Sequence, residues 1–594
     1  TVHTFDSSLA LSGDPHKEHQ AVFKVAEAMI LEKADRATLC VFVSSEAALD
    51  GFAGIIGLLP FRGVSTALVT TRPLQQMMDA ASTTTSTSSL VAPPSQPPFR
   101  FTSPSGVFDI DCSSASRMGM VMVGACYSVA PPQPHNDSHV ALGVSSPVVV
   151  KLRVHDWKPV SRTLEKTAIP SAQEGKKSGA PSSSKEEGHE LVHLPFKINA
   201  QELPMLTFTG AYRDGVDELA HRLAKHYSTS SSSSSTSPSS VFPIVACGET
   251  VDALGYGSDI LNALEGALAQ QSGVEAEAVK GFYFAHKSGE TYKRSDEYGN
   301  AALLRAIGEA KRRGKHVLLV AVGGGVNGNS VGLMAALTNA DFVEVPTTPM
   351  HYNDATTSAK KAFSLVVDGR ILSKNILGAF YLPLLVFCVN ETFLTVSSAS
   401  VHATVGESCK TMNMLGIGDS AQAQRDYHNI LGATEFASDF SKILLTVPGF
   451  ERLVSFLTDP TTVAAKKRIL AAGAKIAELR LSSDDASVAA VASLEGERAR
   501  LADEYRSLFY AQPLEAKQGV DHFLTTVNAE VVKAKAMFLA HSDPFEKYRA
   551  LLFEYAHTLG HGLEAFVNGL YRRRREQQQQ QQSASSSSSL SGSG

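Results

Sequence analysis

HVLLVAVGGGVNGN, residues His316 to Asn329, decides how the rest of the chain is read. An apolar, β-rich run from Val317 to Val322 ends in three consecutive glycines, and Gly323, Gly325 and Gly328 fit GxGxxG. A buried strand that breaks into a glycine turn and a helix start brings backbone amides close to a pyrophosphate. Glycine turns after strands are also common without any ligand, so the motif alone leaves the two readings balanced.

Strand and helix patterns alternate around it. Upstream, Leu194 to Asn199, Met205 to Thr209, Phe242 to Cys247 and Gly281 to Ala285 read as strands. Asp214 to His226, Ile260 to Gln270 and Ala301 to Arg313 read as helices. Downstream, Ser330 to Leu337 reads as a helix and Phe342 to Val345 as a strand closed by Pro346-Thr347-Thr348. Val366 to Asp368 and Ala379 to Asn390 carry further strand character. This alternation predicts an α/β fold with a doubly wound parallel sheet. Beyond Val401 the pattern turns helical: Phe450 to Leu457, Thr462 to Leu479, Val488 to Tyr510, Gly519 to Leu539 and Pro544 to Phe566.

The expected organisation has four parts. Residues 1–188 form an appended N-terminal segment of α/β or mostly β character. Its strand candidates are Thr38 to Ser44, Val107 to Asp111, Met118 to Val123 and Pro147 to Val154, with a helix at Ala21 to Lys33. Its linkers are Ala81 to Pro98 and Pro170 to Glu187, rich in Ser, Thr and Pro. Residues 189–398 form the nucleotide-binding α/β domain, interrupted by a serine tract at 228–240 that reads as a disordered insertion. Residues 399–570 form an α-helical domain for metal and substrate. Residues 571–594, with their glutamine and serine tracts, read as a disordered tail.

Composition bounds the function. The 594 residues are 43% hydrophobic and 19% charged, ample for a large core. A net charge of −5 argues against a general nucleic-acid binder. Six scattered cysteines with no CxxC pair read as reduced thiols, so an intracellular, cytoplasmic location is expected. No apolar run reaches the roughly 18 residues that span a bilayer, so no membrane partner is expected. The sequence opens at Thr1, and the expectation is that a start, with any organelle-targeting peptide, precedes it.

Four clusters could carry chemistry. In GETYK, Glu290 could accept from ribose hydroxyls and Lys293 could balance phosphate, although spacing alone favours a polar turn. Asp354, Lys360, Lys374 and Asn375 fall in what reads as a loop-rich region, suited to a phosphate and a hydroxyl-rich substrate or simply a solvated charged loop. Glu407 and Lys410 share a helix face, as a surface ion pair also would. His557 and His561, four apart on a helix with Glu554 one turn earlier, could serve a divalent metal or proton transfer, though HxxxH often arises by chance.

Taken in order, GETYK, VAVGGGVNGN, VPTT, Asp354 with Lys360, SKNILGAFY, GESCK and FEYAHTLGHGLE resemble the sugar-phosphate cyclases of the 3-dehydroquinate synthase superfamily, over roughly residues 190 to 566. Asn329 after Gly328, Glu554 three before His557 and Ala550 seven before it are similar to the 2-deoxy-scyllo-inosose synthase branch. 3-Dehydroquinate synthases carry Asp, Asn and Arg there. Losing that guanidinium suits a neutral hexose better than a carboxylate-bearing heptulosonate.

The resemblance implies that Gly324, Gly325, Asn329, Thr347 and Thr348 contact NAD, with Glu290 and Lys293 on its adenosine side. It implies Glu407 and His557 as ligands of a catalytic divalent metal, Zn or Co. Asp354, Lys360, Lys374, Asn375, Lys410, Lys535, Glu554 and His561 would surround a sugar phosphate. The implied reaction oxidises a ring hydroxyl, eliminates phosphate, returns the hydride and closes a carbocycle by an aldol step. On glucose 6-phosphate the product would be 2-deoxy-scyllo-inosose. The alternatives are 3-dehydroquinate synthesis, a non-catalytic relative, or a metal-dependent alcohol dehydrogenase of the iron-containing class. Homodimerisation is a family expectation.

Departures accompany the match. The family's third metal ligand, a His in an HGE-type motif after the HTxGH helix, has no counterpart here, so the chain is expected to be C-terminally incomplete. The acid expected after the strand Phe242 to Cys247 is displaced, with Glu249 nearby. Lys360 and Lys361 compete for one role. The stretch between Glu407 and Lys535 is longer than a compact cyclase needs.

Overall fold

The computed structural model describes residues 24–34, 39–44, 65–70, 99–103, 106–110, 117–122, 153–156, 183–186, 189–198, 201–229, 240–275, 279–287, 289, 293–294, 298–367, 370–417, 440–480, 485–539 and 546. The expected helix Pro544 to Phe566, the linkers at 81–98 and 170–182, and the tail at 571–594 lie outside them.

The N-terminal segment contributes a helix, α1 (24–31), and six strands: β1 (Leu39–Ser44), β2 (Ser65–Thr70), β3 (Phe99–Ser103), β4 (Gly106–Ile110), β5 (Arg117–Met122) and β6 (Arg153–Asp156). They pair as a sheet ordered β1-β2-β5-β6 and a β3–β4 hairpin. Helix α1 buries Val25, Ala26 and Met29 in the same apolar cluster as Val317, Leu319 and Ala321.

The main sheet is built from β7 (Ser183–Glu186), β8 (His189–Ile198), β9 (Gln201–Phe208), β10 (Val241–Gly248), β11 (Phe282–His286), β12 (His316–Gly323), β13 (Asp341–Pro346) and, after a separate hairpin of β14 (Lys360–Val367) with β15 (Arg370–Phe380), β16 (Leu385–Val389). Its order is β11-β10-β12-β13-β16-β9-β8-β7. The six strands from β11 to β9 run parallel; β8 and β7 add antiparallel at one edge. This is the predicted α/β fold with a mostly parallel sheet.

Helices cover both faces, which is why the central strands are continuously apolar rather than alternating. In β12 alternate residues enter opposite cores: Leu318, Val320 and Val322 join one, and Val317, Leu319 and Ala321 the other. The first core holds α2 (Tyr212–Thr229), α3 (Glu249–Leu254) and α4 (Tyr256–Ser272). The second holds α5 (Tyr298–Arg312) and α6 (Gly325–Thr338). Helix α6 is buried along most of its length between the sheet and the β14–β15 hairpin, so its sequence shows no polar face.

The described residues beyond Ser398 are helical, as expected: α7 (Ser398–Ile417), α8 (Phe440–Leu444), α9 (Val447–Thr458), α10 (Pro460–Leu479), α11 (Asp485–Tyr510) and α12 (Leu514–Leu539). Asp459 caps α10 by accepting from the Thr461 and Thr462 amides, followed by Pro460 at the first helical position. At Gly473, α10 approaches Ala253 of α3 so closely that a Cβ would overlap backbone.

Four expectations are corrected. The loop-rich region after Thr348 is a π-helical turn (His351–Ala355) followed by the β14–β15 hairpin. The helix after the glycines begins at Gly325, because the turn itself supplies its first residues. The run Ala379 to Asn390 is broken between Phe380 and Leu385, where the chain leaves the hairpin for the main sheet. Residues 183–186, read as linker, form the edge strand β7, and Ser228 and Thr229 of the serine tract belong to α2.

Candidate active site

The site lies at the carboxyl ends of β10, β12 and β13, where open parallel sheets bind their ligands. Strand β12 ends at Gly323 with φ +147°, a conformation that L side chains rarely adopt. Gly324 is the N-cap of α6 and brings no side-chain cap, so the first-turn amides have no side-chain acceptor. A Cβ at Gly324 would stand 3.8 Å from Thr348 Oγ1, and one at Gly325 3.5 Å from Ala355 Cβ, both ordinary contacts. Packing therefore does not demand glycine at these two positions, and the uncovered backbone leaves room for close approach of a ligand. This fits a dinucleotide pyrophosphate.

Gly328 is different. A Cβ there would overlap the His351 ring, with Cε1 only 2.8 Å away. Gly332, one turn on, faces the Lys361 stem at 2.7 Å from Cδ. These glycines make room for buried polar side chains.

The polypeptide after β13 folds back onto the turn. The Thr347 amide donates to the Gly323 carbonyl at 3.0 Å, and Thr348 Oγ1 accepts from the His351 amide at 3.2 Å. Both threonines thus flank Gly323 and Gly324. Asn329 is placed differently. Its Nδ2 donates to the Gly325 carbonyl at 2.8 Å and its Oδ1 accepts from the Ala362 amide at 3.1 Å, so its side chain ties α6 to β14.

Asp354, one residue before Ala355, is the centre of a cationic set. Lys535 of α12 reaches its Oδ1 at 2.7 Å and its carbonyl at 3.1 Å across 181 residues of sequence. Desolvation raises the carboxyl's pKa but is outweighed by Lys535, Lys410 and Lys360, which hold it well below the usual carboxylate range. Half of the side chain stays exposed (53%), so it can meet a ligand. Lys360 pairs with Glu546 at 2.5 Å, and Ser358 Oγ donates to the same carboxylate at 2.5 Å. Lys410 pairs with Glu407 at 2.6 Å. Asn353 Nδ2 donates to Ser408 Oγ at 3.3 Å, joining the π-helical turn to α7.

Lys293, Lys374 and Asn375 gather at the hairpin instead. The Lys293 carbonyl accepts from the Ser364 amide at 2.9 Å, and Ser364 Oγ accepts from the Asn375 amide at 3.4 Å. Asn375 has φ +53°, which aims it out of regular strand geometry beside the exposed Lys374. Glu290, Glu554, His557 and His561 lie outside the described residues.

Among the described residues no group of three His, Cys, Asp or Glu side chains could hold a metal ion. Glu407 is the one predicted ligand described, and its carboxylate faces an ammonium.

Sequence reasoning missed three features. Lys361, read as a competitor of Lys360, is fully buried and bonds the equally buried Glu344. His351 donates from Nδ1 to the Gly323 carbonyl at 2.6 Å. Asn327 donates to the Ala246 and Val322 carbonyls at 2.8 and 3.0 Å and accepts from His286 Nε2 at 2.8 Å, joining three strand ends. The available signal was a buried-type polar residue inside an apolar run, as at Glu344 and Asn327.

Residues 283–403 match the family described as 3-dehydroquinate synthase N-terminal. Similar curated proteins include the 2-deoxy-scyllo-inosose synthase of Streptomyces paromomycinus, 32% identical over 179 residues, which is 30% of this chain and 41% of that protein. The 3-dehydroquinate synthase of Prochlorococcus marinus (strain MIT 9515) is 34% identical over 132 residues, 21% of this chain and 33% of that protein. The matches thus span about two fifths or less of these relatives' length. Among solved structures, a 2-deoxy-scyllo-inosose synthase complexed with carbaglucose-6-phosphate, NAD+ and Co2+ is similar over 64% of this chain and 71% of that chain, at 17% identity and a TM-score of 0.34.

Proposed function

We propose that this chain, which carries a 3-dehydroquinate synthase-type domain at residues 283–403, is an NAD- and metal-dependent sugar-phosphate cyclase that converts glucose 6-phosphate into 2-deoxy-scyllo-inosose and phosphate. The observation that carries the reading is the position of Asp354 and its lysines beside the glycine turn: the next residue, Ala355, lies where a Cβ added to Gly325 would come within 3.5 Å of it.

Gly324, Gly325 and the first turn of α6 receive the dinucleotide pyrophosphate, flanked by Thr347 and Thr348. Lys293 and Glu290 are assigned to its adenosine side. When bound, NAD would supply reversible two-electron chemistry: it would accept the hydride of a hydroxyl-bearing ring carbon, whose O–H proton is lost to a base, and give it back after phosphate has left. Lys360, Lys410 and Lys535 offset the charge of the phosphate and of the carbanion adjacent to the new ketone. Asp354, kept ionised by those lysines, accepts from substrate hydroxyls and orients the ring. Lys374 and Asn375 extend the polar wall from the hairpin. Glu554 and His561 are the proposed proton carriers. Glu407 and His557 are the proposed donors to a Zn or Co ion, and no step above depends on that ion.

Phosphate release from glucose 6-phosphate with NAD and Co2+ or Zn2+ tests the reading, with no net accumulation of NADH. Release from a heptulosonate phosphate alone would reassign the chain to 3-dehydroquinate synthesis. NADH accumulation on a simple alcohol would make it a dehydrogenase. Release from neither phosphate would refute the cyclase.

A further inference from the structure

Beneath the glycine turn lies a chain of fully buried polar groups that runs from cofactor loop to hairpin. His351, Glu344 and Lys361 are 1%, 0% and 0% exposed. Lys361 Nζ bonds Glu344 Oε1; Glu344 Oε2 stands 3.8 Å from His351 Nε2; His351 Nδ1 donates to the Gly323 carbonyl at 2.6 Å. Burying an ion pair beside an imidazole is costly, and here Glu344 Oε2 and His351 Nε2 are buried without a hydrogen-bond partner, so the set stands on the Lys361–Glu344 bond and on the His351–Gly323 bond. The sequence makes space for it twice, since Gly328 and Gly332 are the two α6 positions at which a Cβ would strike His351 and Lys361.

The acceptor matters more than the ring. Gly323 is the positive-φ residue at which β12 becomes the turn, and its carbonyl takes the Thr347 amide and the His351 ring together. A carbonyl held from two sides fixes the plane of the Gly323–Gly324 peptide, and hence the direction of the Gly324 amide. Strand alternation separates the two lysines: Lys361 points under α6 while Lys360 points to Ser358 and Glu546.

We propose that His351 is the positioning residue of the glycine turn, its ring seated against the buried Glu344–Lys361 pair, so that Lys361 packs beneath the dinucleotide loop and Lys360 serves the substrate. The cofactor assignment rests on the function proposed above; the positioning of the turn does not. Burial holds His351 below the usual histidine pKa, with Glu344, Asp354 and the Gly323 carbonyl opposing and Lys361 assisting, so the ring is neutral and Nδ1–H is its one donor.

Two variants test this. His351→Leu removes the donor. His351→Asn removes the ring but puts an amide N–H where Nδ1–H was. Hydrogen exchange of the 323–328 amides, measured on the full chain, is expected to quicken about tenfold in His351→Leu and to return near the parental rate in His351→Asn. NAD affinity, read by calorimetry, is expected to follow the same order, while glucose 6-phosphate affinity without NAD stays within about twofold. Equal exchange in Leu and Asn variants would overturn the proposal, since a space-filling role would not distinguish them by donor. If neither variant folds, Lys361→Met carries the test. It is expected to quicken exchange at 323–328 more than at the amides of α12, and unchanged or uniformly raised exchange would overturn the proposal. Exchange that follows the donor in a protein that does not bind NAD would refute the cofactor reading alone.

Discussion

Lys361→Met removes one charge from a pair in which both members are completely buried. Glu344 then keeps a carboxylate in the interior without its cation. Breaking a buried pair this way costs about 3–5 kcal/mol. The methionine retains the stem that packs beside Gly332, so little cavity term is added. For a cooperative unit of about 150–250 residues each kcal/mol moves the midpoint by about 2–4 °C, so a fall of roughly 6–20 °C is expected. Circular dichroism melting at pH 7 is the assay. The double variant Glu344→Leu/Lys361→Met removes both charges and is expected to recover most of the loss, because replacing a whole buried pair is often neutral. A Lys361→Met midpoint within about 2 °C of the parent would refute the reasoning, and would mean the pair has access to water.

Three further outcomes follow from the geometry. Gly324→Ala and Gly325→Ala should keep the parental midpoint while weakening NAD binding, whereas Gly328→Ala should lose about 1–3 kcal/mol by overpacking against His351; melting and calorimetry on the three variants separate these. Burial raises the Asp521 carboxyl to about 7, opposed by the Asn390 hydrogen bond and assisted by Glu391. Against an unfolded value near 4, its contribution is fully present below pH 4 and lost as pH rises through 7, so Asp521→Asn should raise the midpoint at pH 8 and leave it unchanged at pH 4. Burial pushes the Cys247 thiol up to about 12, with Tyr283 hydrogen-bonded to it, so iodoacetamide at pH 8 should label it only after unfolding, as mass spectrometry of the alkylated peptide would show.

Much of the architecture was legible because the central strands are buried on both faces. A run such as Val317 to Val322 has no other stable place in a large α/β chain. The hairpin was not legible, because Lys360, Lys361, Lys374 and Asn375 gave its strands the composition of a solvated loop. The burial of Lys361 depends on Glu344, which lies 17 residues earlier on another element. In the site, the glycines and VPTT were readable as local backbone devices. The Asp354–Lys535 contact was not readable by spacing, since it spans 181 residues; resemblance alone placed both residues in one site. His351 offered no pattern at all: its role appears only when Gly323, 28 residues before it, is seen beside it.

The connection from Thr229 to Ser240 enters the sheet at the amino end of β10. The glycine turn leaves from the carboxyl end of the neighbouring parallel strand. Eight residues of strand put these ends roughly 25 Å apart. Ser240, where the chain re-enters the sheet, is therefore a strand's length away from the glycine turn. The same separation makes the edge of the sheet at Ser240 a port for protein engineering: an epitope or a fluorescent reporter spliced just before Ser240 joins the described fold at the end of β10 opposite the glycine turn.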